Sequence, residues 1–294
     1  MRKLSFPQTF MQPQALRGGR RSRAAYAVPS LFTAGNIFLG FIAILQCFEG
    51  VMAVVAGTLG ANSHFELAAK MIGIAVVLDG LDGRIARMMN TTSDFGRELD
   101  SLADAITFGL APAVLAYTWG VQFLDTGGDK VVHDNVLHAG YFVSFLYLLS
   151  GVCRLARFNV QTNPVPKNPG RPDRKYFVGL PIPAAAGMVA SVVYAADAVP
   201  LRWWPFGVAW MALLALLSFL MVSTWRYRSF KDLNMMHPRS PVTIIFVGSL
   251  IYLLWYYAQP LLLTITSMYV ASGIFIRLAG VLRRAFKHSE PRVS

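Results

Sequence analysis

The chain has 294 residues, 55% of them apolar and 14% charged, with a net charge of +12, whereas a typical soluble domain is about 45–50% apolar and about 25% charged. This composition excludes a soluble enzyme and a disordered chain, and apolar stretches of about 20 residues recur from Leu31 to Leu282, so the sequence predicts an all-α polytopic membrane protein. The apolar runs are about twice the length of a barrel strand and do not alternate, which excludes a β-barrel, and two cysteines in apolar runs, Cys47 and Cys153, exclude a disulfide framework and a cysteine-based zinc site.

Residues 1–28 read as a basic arm broken by Pro and Gly, with no cleaved leader expected. Eight transmembrane spans follow, at 31–55, 66–89, 96–120, 138–160, 178–197, 203–223, 241–257 and 260–282, with a tight turn expected at Gln259–Pro260. The first six make a core at 29–223, the last two an additional hairpin at 224–283, and 284–294 a basic tail. Aromatic residues collect at span ends, as Tyr117 and Trp119 or Trp203 and Trp204, where rings favour the headgroup level. Most of the 27 basic residues fall on one set of ends: the arm, Arg84 to Arg97, Arg154 to Lys175, Arg226 to Arg239, and Arg277 to Arg292. Lys70, Lys130 and Arg202 are left for the other side. The positive-inside rule then expects a protein integral to the cell (inner) membrane with both termini cytoplasmic. Anionic lipid headgroups account for the basic arm, so membrane lipids rather than nucleic acid are the expected partner.

The informative segment runs from Asp79 to Asp104 and holds Asp79, Asp82, Asp94, Glu98, Asp100 and Asp104. A carboxylate in an apolar helix costs about 2.5–3.5 kcal/mol at mid-membrane on insertion scales, so such groups are functional by default. Asp79 and Asp82 are i, i+3, and Asp100 and Asp104 are i, i+4, so each pair shares a helix face. A turn at Asn90–Ser93 lets the pairs face each other across an antiparallel hairpin near the cytoplasmic surface. Four converging carboxylates cannot all stay ionised unless cations hold them. Oxygen-only ligands favour a hard divalent ion, Mg2+ or Mn2+, and two ions would balance four carboxylates. Gly80, Gly83 and Gly96 beside the acids clear space either for a ligand or for helix packing, and Arg87 could contact a phosphate. An ion-bridged pyrophosphate suits carboxylates, glycines and arginine together.

These residues, in the order Asp79, Asp82-Gly83, Ala86-Arg87, Gly96, Asp100 and Asp104, have the spacing of the CDP-alcohol phosphotransferase signature, which this chain resembles without departure. The resemblance implies transfer of a phosphoryl-alcohol unit from a CDP-linked donor to a hydroxyl acceptor with release of CMP. It implies metal ligation by Asp79, Asp82, Asp100 and Asp104, with Asp104 also the base. Gly83, Arg87 and Gly96 would lie against the CDP moiety, and a homodimer is expected. The segments at 29–36, 104–112, 154–159 and 177–186 resemble the membrane-integral phosphatidylserine synthase branch of that family. The implied reaction is CDP-diacylglycerol plus L-serine giving phosphatidylserine and CMP, by direct displacement. Asn36, inside the first span, either lines the donor pocket or bonds a neighbouring helix. Arg154, Arg157 and Asn159 follow the fourth span. Arg suits a serine carboxylate or lipid phosphate, and equally serves as a topological anchor. Rival acceptors are glycerol phosphate, inositol phosphate or choline. A divalent-cation transporter also buries acids, but no second copy of the acidic motif accompanies this one.

Overall fold

In lipid, every backbone N–H and C=O must pair within the chain, so long apolar runs become helices. The computed structural model describes residues 23–58, 60–89, 94–162, 176–228 and 241–288. Within them the helices are α1 (Arg23–Val55), α2 (Ser63–Met89), α3 (Asp94–Asp104), α4 (Ala111–Gly120), α5 (Lys130–Thr162), α6 (Ile182–Ala195), α7 (Trp204–Val222), α8 (Pro241–Tyr256) and α9 (Ala258–His288). A π-helical segment, Ala105–Leu110, joins α3 to α4 into one rod. Among the described residues, five stretches are long and apolar enough to cross a membrane: Leu31–Val55, Phe95–Gly120, Lys130–Val160, Trp204–Val222 and Ala258–Leu278. The protein is an all-α polytopic membrane protein. Its surface supports that reading, because Phe38, Phe41, Phe48, Phe142 and Phe145 are all more than half exposed, an arrangement suited to lipid rather than water.

Several boundaries differ from the sequence expectation. Helix α5 begins at Lys130, well before 138. Helix α6 covers 14 residues, about 21 Å at about 1.5 Å per residue, short of a hydrocarbon core of about 30 Å. The expected span from 178 is not helical at its start, because Tyr176–Val178 forms strand β1 and pairs antiparallel with β2, Arg226–Arg228, with Phe177 opposite Tyr227. The turn expected at Gln259–Pro260 falls instead at Tyr257, and both residues sit in the first turn of α9. There a proline costs no hydrogen bond, since the first helical N–H groups have no intrahelical acceptor. Gln259 Nε2 donates to Asp197 Oδ1 at 2.7 Å, tying α9 to the loop after α6.

The core sits where α2, the α4 end of the rod, α6 and α7 meet, around Phe65, Ile72, Leu115, Trp119, Ile182, Leu214 and Leu217. Asn62 starts α2: its Oδ1 accepts the His64 and Phe65 N–H groups at 3.0 and 3.4 Å, and its Nδ2 donates to Gly50 O at 2.9 Å. One side chain thus caps α2 and fixes it to α1. The π segment also has a local cause. Pro112 lacks the N–H that would bond Phe108 O in an α-helix, and the Tyr147 hydroxyl donates to that carbonyl at 3.2 Å instead. Thr107 Oγ1 donates to Asn36 O at 2.9 Å. Gly40 lies so close to Thr107 that a Cβ there would meet Thr107 Oγ1 at 2.7 Å, so α1 is pressed against the rod immediately beyond Asp104.

Candidate active site

The acidic residues reach the site from two helices. Asp79 comes from α2, and Asp100 and Asp104 from the last turn of α3, just before the π segment. One carboxylate oxygen from each of these three lies within 4.8 Å of the others. Asp82 lies one turn beyond Asp79 in α2; its side chain, like that of Arg87 and the environment of Gly83, falls outside the described residues. So does the Asn90–Ser93 turn. All three described acids are half-buried, and like charges this close strongly disfavour full ionisation without a cation. Carboxylate oxygens alone, with no Cys or His among the grouped residues, suit a hard divalent ion. The residues present therefore fit a divalent metal.

The surroundings are open on one side and anchored on the other. A Cβ at Gly80 would meet no described atom within 4 Å, so Gly80 is no helix-packing contact and leaves room beside Asp79. Gly96 lies in the first turn of α3. Asn36 is fully buried, and neither polar atom of its amide makes a hydrogen bond among the described residues. Leaving such a group unsatisfied costs about 1–3 kcal/mol, so the amide is available to a polar ligand.

The three residues after the fourth span separate by environment. Arg154 is in electrostatic reach of Asp104, Arg157 and Tyr269, and its buried Nε makes no hydrogen bond among the described residues. Arg157 is committed to the backbone: Nη1 donates to Val222 O at 3.0 Å, and Nη2 to Val178 O at 3.2 Å and Ser223 O at 3.4 Å. It joins α5 to the end of α7 and to the ribbon. Gly179, with φ of +80°, makes the turn between β1 and α6, and a Cβ there would meet Met221 O at 2.5 Å, so only glycine fits. Asn159 Nδ2 donates to Ser101 Oγ at 2.9 Å. That bond ties α5 to α3 beside Asp100 and occupies Ser101, which is no nucleophile here. Tyr269, in α9, was missed by the sequence reading. A tyrosine inside an apolar span is a weak signal, because the same residue serves equally well as a packing ring.

The match to a model of the family described as CDP-alcohol phosphatidyltransferase covers residues 26–222. The chain belongs to the CDP-alcohol phosphatidyltransferase family. It is 35% identical over 261 residues to a Helicobacter pylori (strain ATCC 700392 / 26695) protein named CDP-diacylglycerol–serine O-phosphatidyltransferase, covering 89% of this chain and 92% of that one. A Bacillus subtilis (strain 168) protein of the same name is 30% identical over 204 residues, 69% of this chain and 91% of its own. One from Saccharomyces cerevisiae is 36% identical over 159 residues, 54% of this chain and 50% of its own. All the described members of the CDP-alcohol phosphatidyltransferase signature in this chain lie inside the matched region. Helix α9 lies outside it.

Proposed function

We propose that the protein transfers a phosphatidyl group from CDP-diacylglycerol to the hydroxyl of L-serine, giving phosphatidylserine and CMP. The observation that carries this reading is the convergence of Asp79, Asp100 and Asp104 in an apolar helix bundle of this family. Relatives named for the serine reaction, one of them matched over 92% of its length, favour serine among the acceptors.

The chain's residues have separate tasks in this reading. Asp79, Asp82, Asp100 and Asp104 would hold a divalent metal, Mg2+ or Mn2+ and two ions by charge balance. Bound there, the metal would neutralise the donor's pyrophosphate and the developing charge on CMP. Asp104 takes the serine hydroxyl proton as the serine oxygen bonds to the phosphatidyl phosphorus and the bond from that phosphorus to CMP breaks. A positioned base of this kind contributes about 10²–10⁴-fold. Gly83, Arg87, Gly96 and Asn36 line the CDP end of the donor. Arg154 receives the acceptor's carboxylate, while Arg157 and Asn159 hold the helices that carry the site. The step is a direct displacement, since carboxylates committed to cations are poor nucleophiles. A site at the cytoplasmic ends of the spans lets the acyl chains stay in lipid while the reacting phosphate meets soluble serine. Both termini face the same compartment, and the protein works as a homodimer in the cell membrane.

Acceptor profiling tests the reading. Purified protein in vesicles containing CDP-diacylglycerol should release CMP with L-serine and not with glycerol phosphate, inositol phosphate or choline. Preference for another alcohol would overturn the serine assignment while leaving the family chemistry intact. Divalent-ion flux without CMP release would point to a transporter.

A further inference from the structure

The family match ends at Val222, yet α9 returns to the site. Its hold on the rest of the protein is specific. Thr266 Oγ1 and Ser191 Oγ of α6 share a hydrogen bond of 2.8 Å. Nearer the site, the ring of Tyr227, on β2, is fully buried against α9. It packs on Tyr269 with ring centroids 5.7 Å apart, its hydroxyl donates to Val270 O at 3.5 Å, and Gly273 lies so close that no Cβ fits there. The contacts form a closed circuit. Arg157 of α5 fixes β1 and the end of α7, β1 pairs with β2, and β2 presents Tyr227, which seats α9. Tyr269 of α9 then lies in electrostatic reach of Arg154, one helical turn before Arg157 on α5. Arg154 is also in reach of Asp104, and its Nε is the buried donor without a hydrogen bond among the described residues. A guanidinium binds a carboxylate with two parallel N–H groups only when its plane is fixed.

We propose that Tyr269 is a positioning residue for the acceptor: its hydroxyl orients the Arg154 guanidinium so that the Nε edge receives the acceptor's carboxylate beside Asp104. Helix α9 thereby completes a pocket selective for a hydroxy amino acid, although it lies outside the matched family region. This inference rests on the serine reading above and assigns its specificity to a residue outside the signature.

The test compares wild type, Tyr269→Phe, Arg154→Ala, the double variant and Tyr227→Phe as purified full-length protein in CDP-diacylglycerol vesicles. CMP release is followed while serine and donor are varied separately. Tyr269→Phe keeps the ring and should raise the serine KM by about tenfold, the lower end for a lost hydrogen bond to a charged group, with kcat and donor KM within twofold. Added to Arg154→Ala it should have no further effect, because it acts through that arginine. Tyr227→Phe should lower the thermal midpoint without moving the serine KM. If Tyr269→Phe does not fold, Tyr269→His, which keeps a hydrogen-bonding ring, should fold and show a serine KM below that of Arg154→Ala. A serine KM unchanged in Tyr269→Phe, an equal loss in kcat and both KM values, or full additivity with Arg154→Ala would overturn the proposal. If wild type uses a different acceptor, the serine reading falls. The same KM comparison with that acceptor then decides the role of Tyr269.

Discussion

The two ends of the rod from Asp94 to Gly120 are built on opposite principles. At the α3 end, Phe95 is 74% and Leu102 63% exposed, and the acids are half-buried. At the α4 end, Trp119 is 1% exposed and packs edge-on against Trp210, with centroids 5.1 Å apart. Trp210 Nε1 donates to Ala116 O at 2.9 Å, and Gly120 lies so close to the Trp210 indole that no Cβ fits. Close packing of this kind has almost no slack, whereas a cluster of carboxylates is costly until something cationic shares it. The dense end positions the rod, and the costly end is where ligands do their work. The π segment lies at the junction, with Tyr147, Thr107 and Gly40 fixing it from α5 and α1. A substitution at either end therefore has a different signature, in turnover or in stability.

The largest effect belongs to the acidic end. Asp100→Asn should abolish serine-dependent CMP release and raise the divalent-ion concentration needed, with circular dichroism and thermal midpoint preserved. Near-normal activity at low magnesium would remove it from the site. Asp104→Asn should lower release by about 10²-fold or more, the lower end for a lost general base, while CDP-diacylglycerol binding measured on the same preparation persists. Parallel loss of binding and release would make Asp104 a ligand only.

At the dense end, Gly120→Ala forces a methyl group into the Trp210 indole. It should destabilise by about 1–3 kcal/mol, the usual range for overpacking, read as a lower thermal midpoint with serine and donor KM unchanged. A shifted KM would mean that the two ends are not separable. Between them, the two arginines of α5 sharpen the contrast. Arg154→Ala should raise the serine requirement at least tenfold at unchanged stability. Arg157→Ala leaves the Val222, Val178 and Ser223 carbonyls without their donor and should chiefly lower the thermal midpoint. Identical behaviour of both variants would erase the distinction drawn from their partners. The smallest effect is expected from Trp210→Phe, which keeps a ring but loses the bond to Ala116 O. About 1 kcal/mol of stability, with kinetics unaltered, is the expected outcome of denaturation and turnover assays.

Much of the site was legible because its spacing is unusual. Carboxylates at i, i+3 and i, i+4 in apolar helices have few structural uses, so Asp79, Asp100 and Asp104 stood out before any geometry existed. Arg154 and Arg157 were not separable in sequence. Both are basic residues after a span, and only their partners tell a group in reach of Asp104 from one holding three carbonyls. The shortness of α6 and the strand at Tyr176–Val178 escaped for another reason. An apolar run such as Phe177 to Ile182 has the same hydropathy in a strand, a turn or a helix.

The sequence by itself determined that this is a helical membrane protein, where its apolar spans lie, and which acids carry its chemistry. Hydropathy and spacing along one helix are local properties, and the cost of an unpaired polar group in lipid leaves little choice about them. The tertiary structure alone decided the π segment that Pro112 and Tyr147 share, the ribbon that fixes Tyr227, and the approach of Tyr269 to Arg154. Each of these depends on side chains far apart in the chain meeting at one point, and no periodicity along the sequence encodes which distant helix supplies the partner.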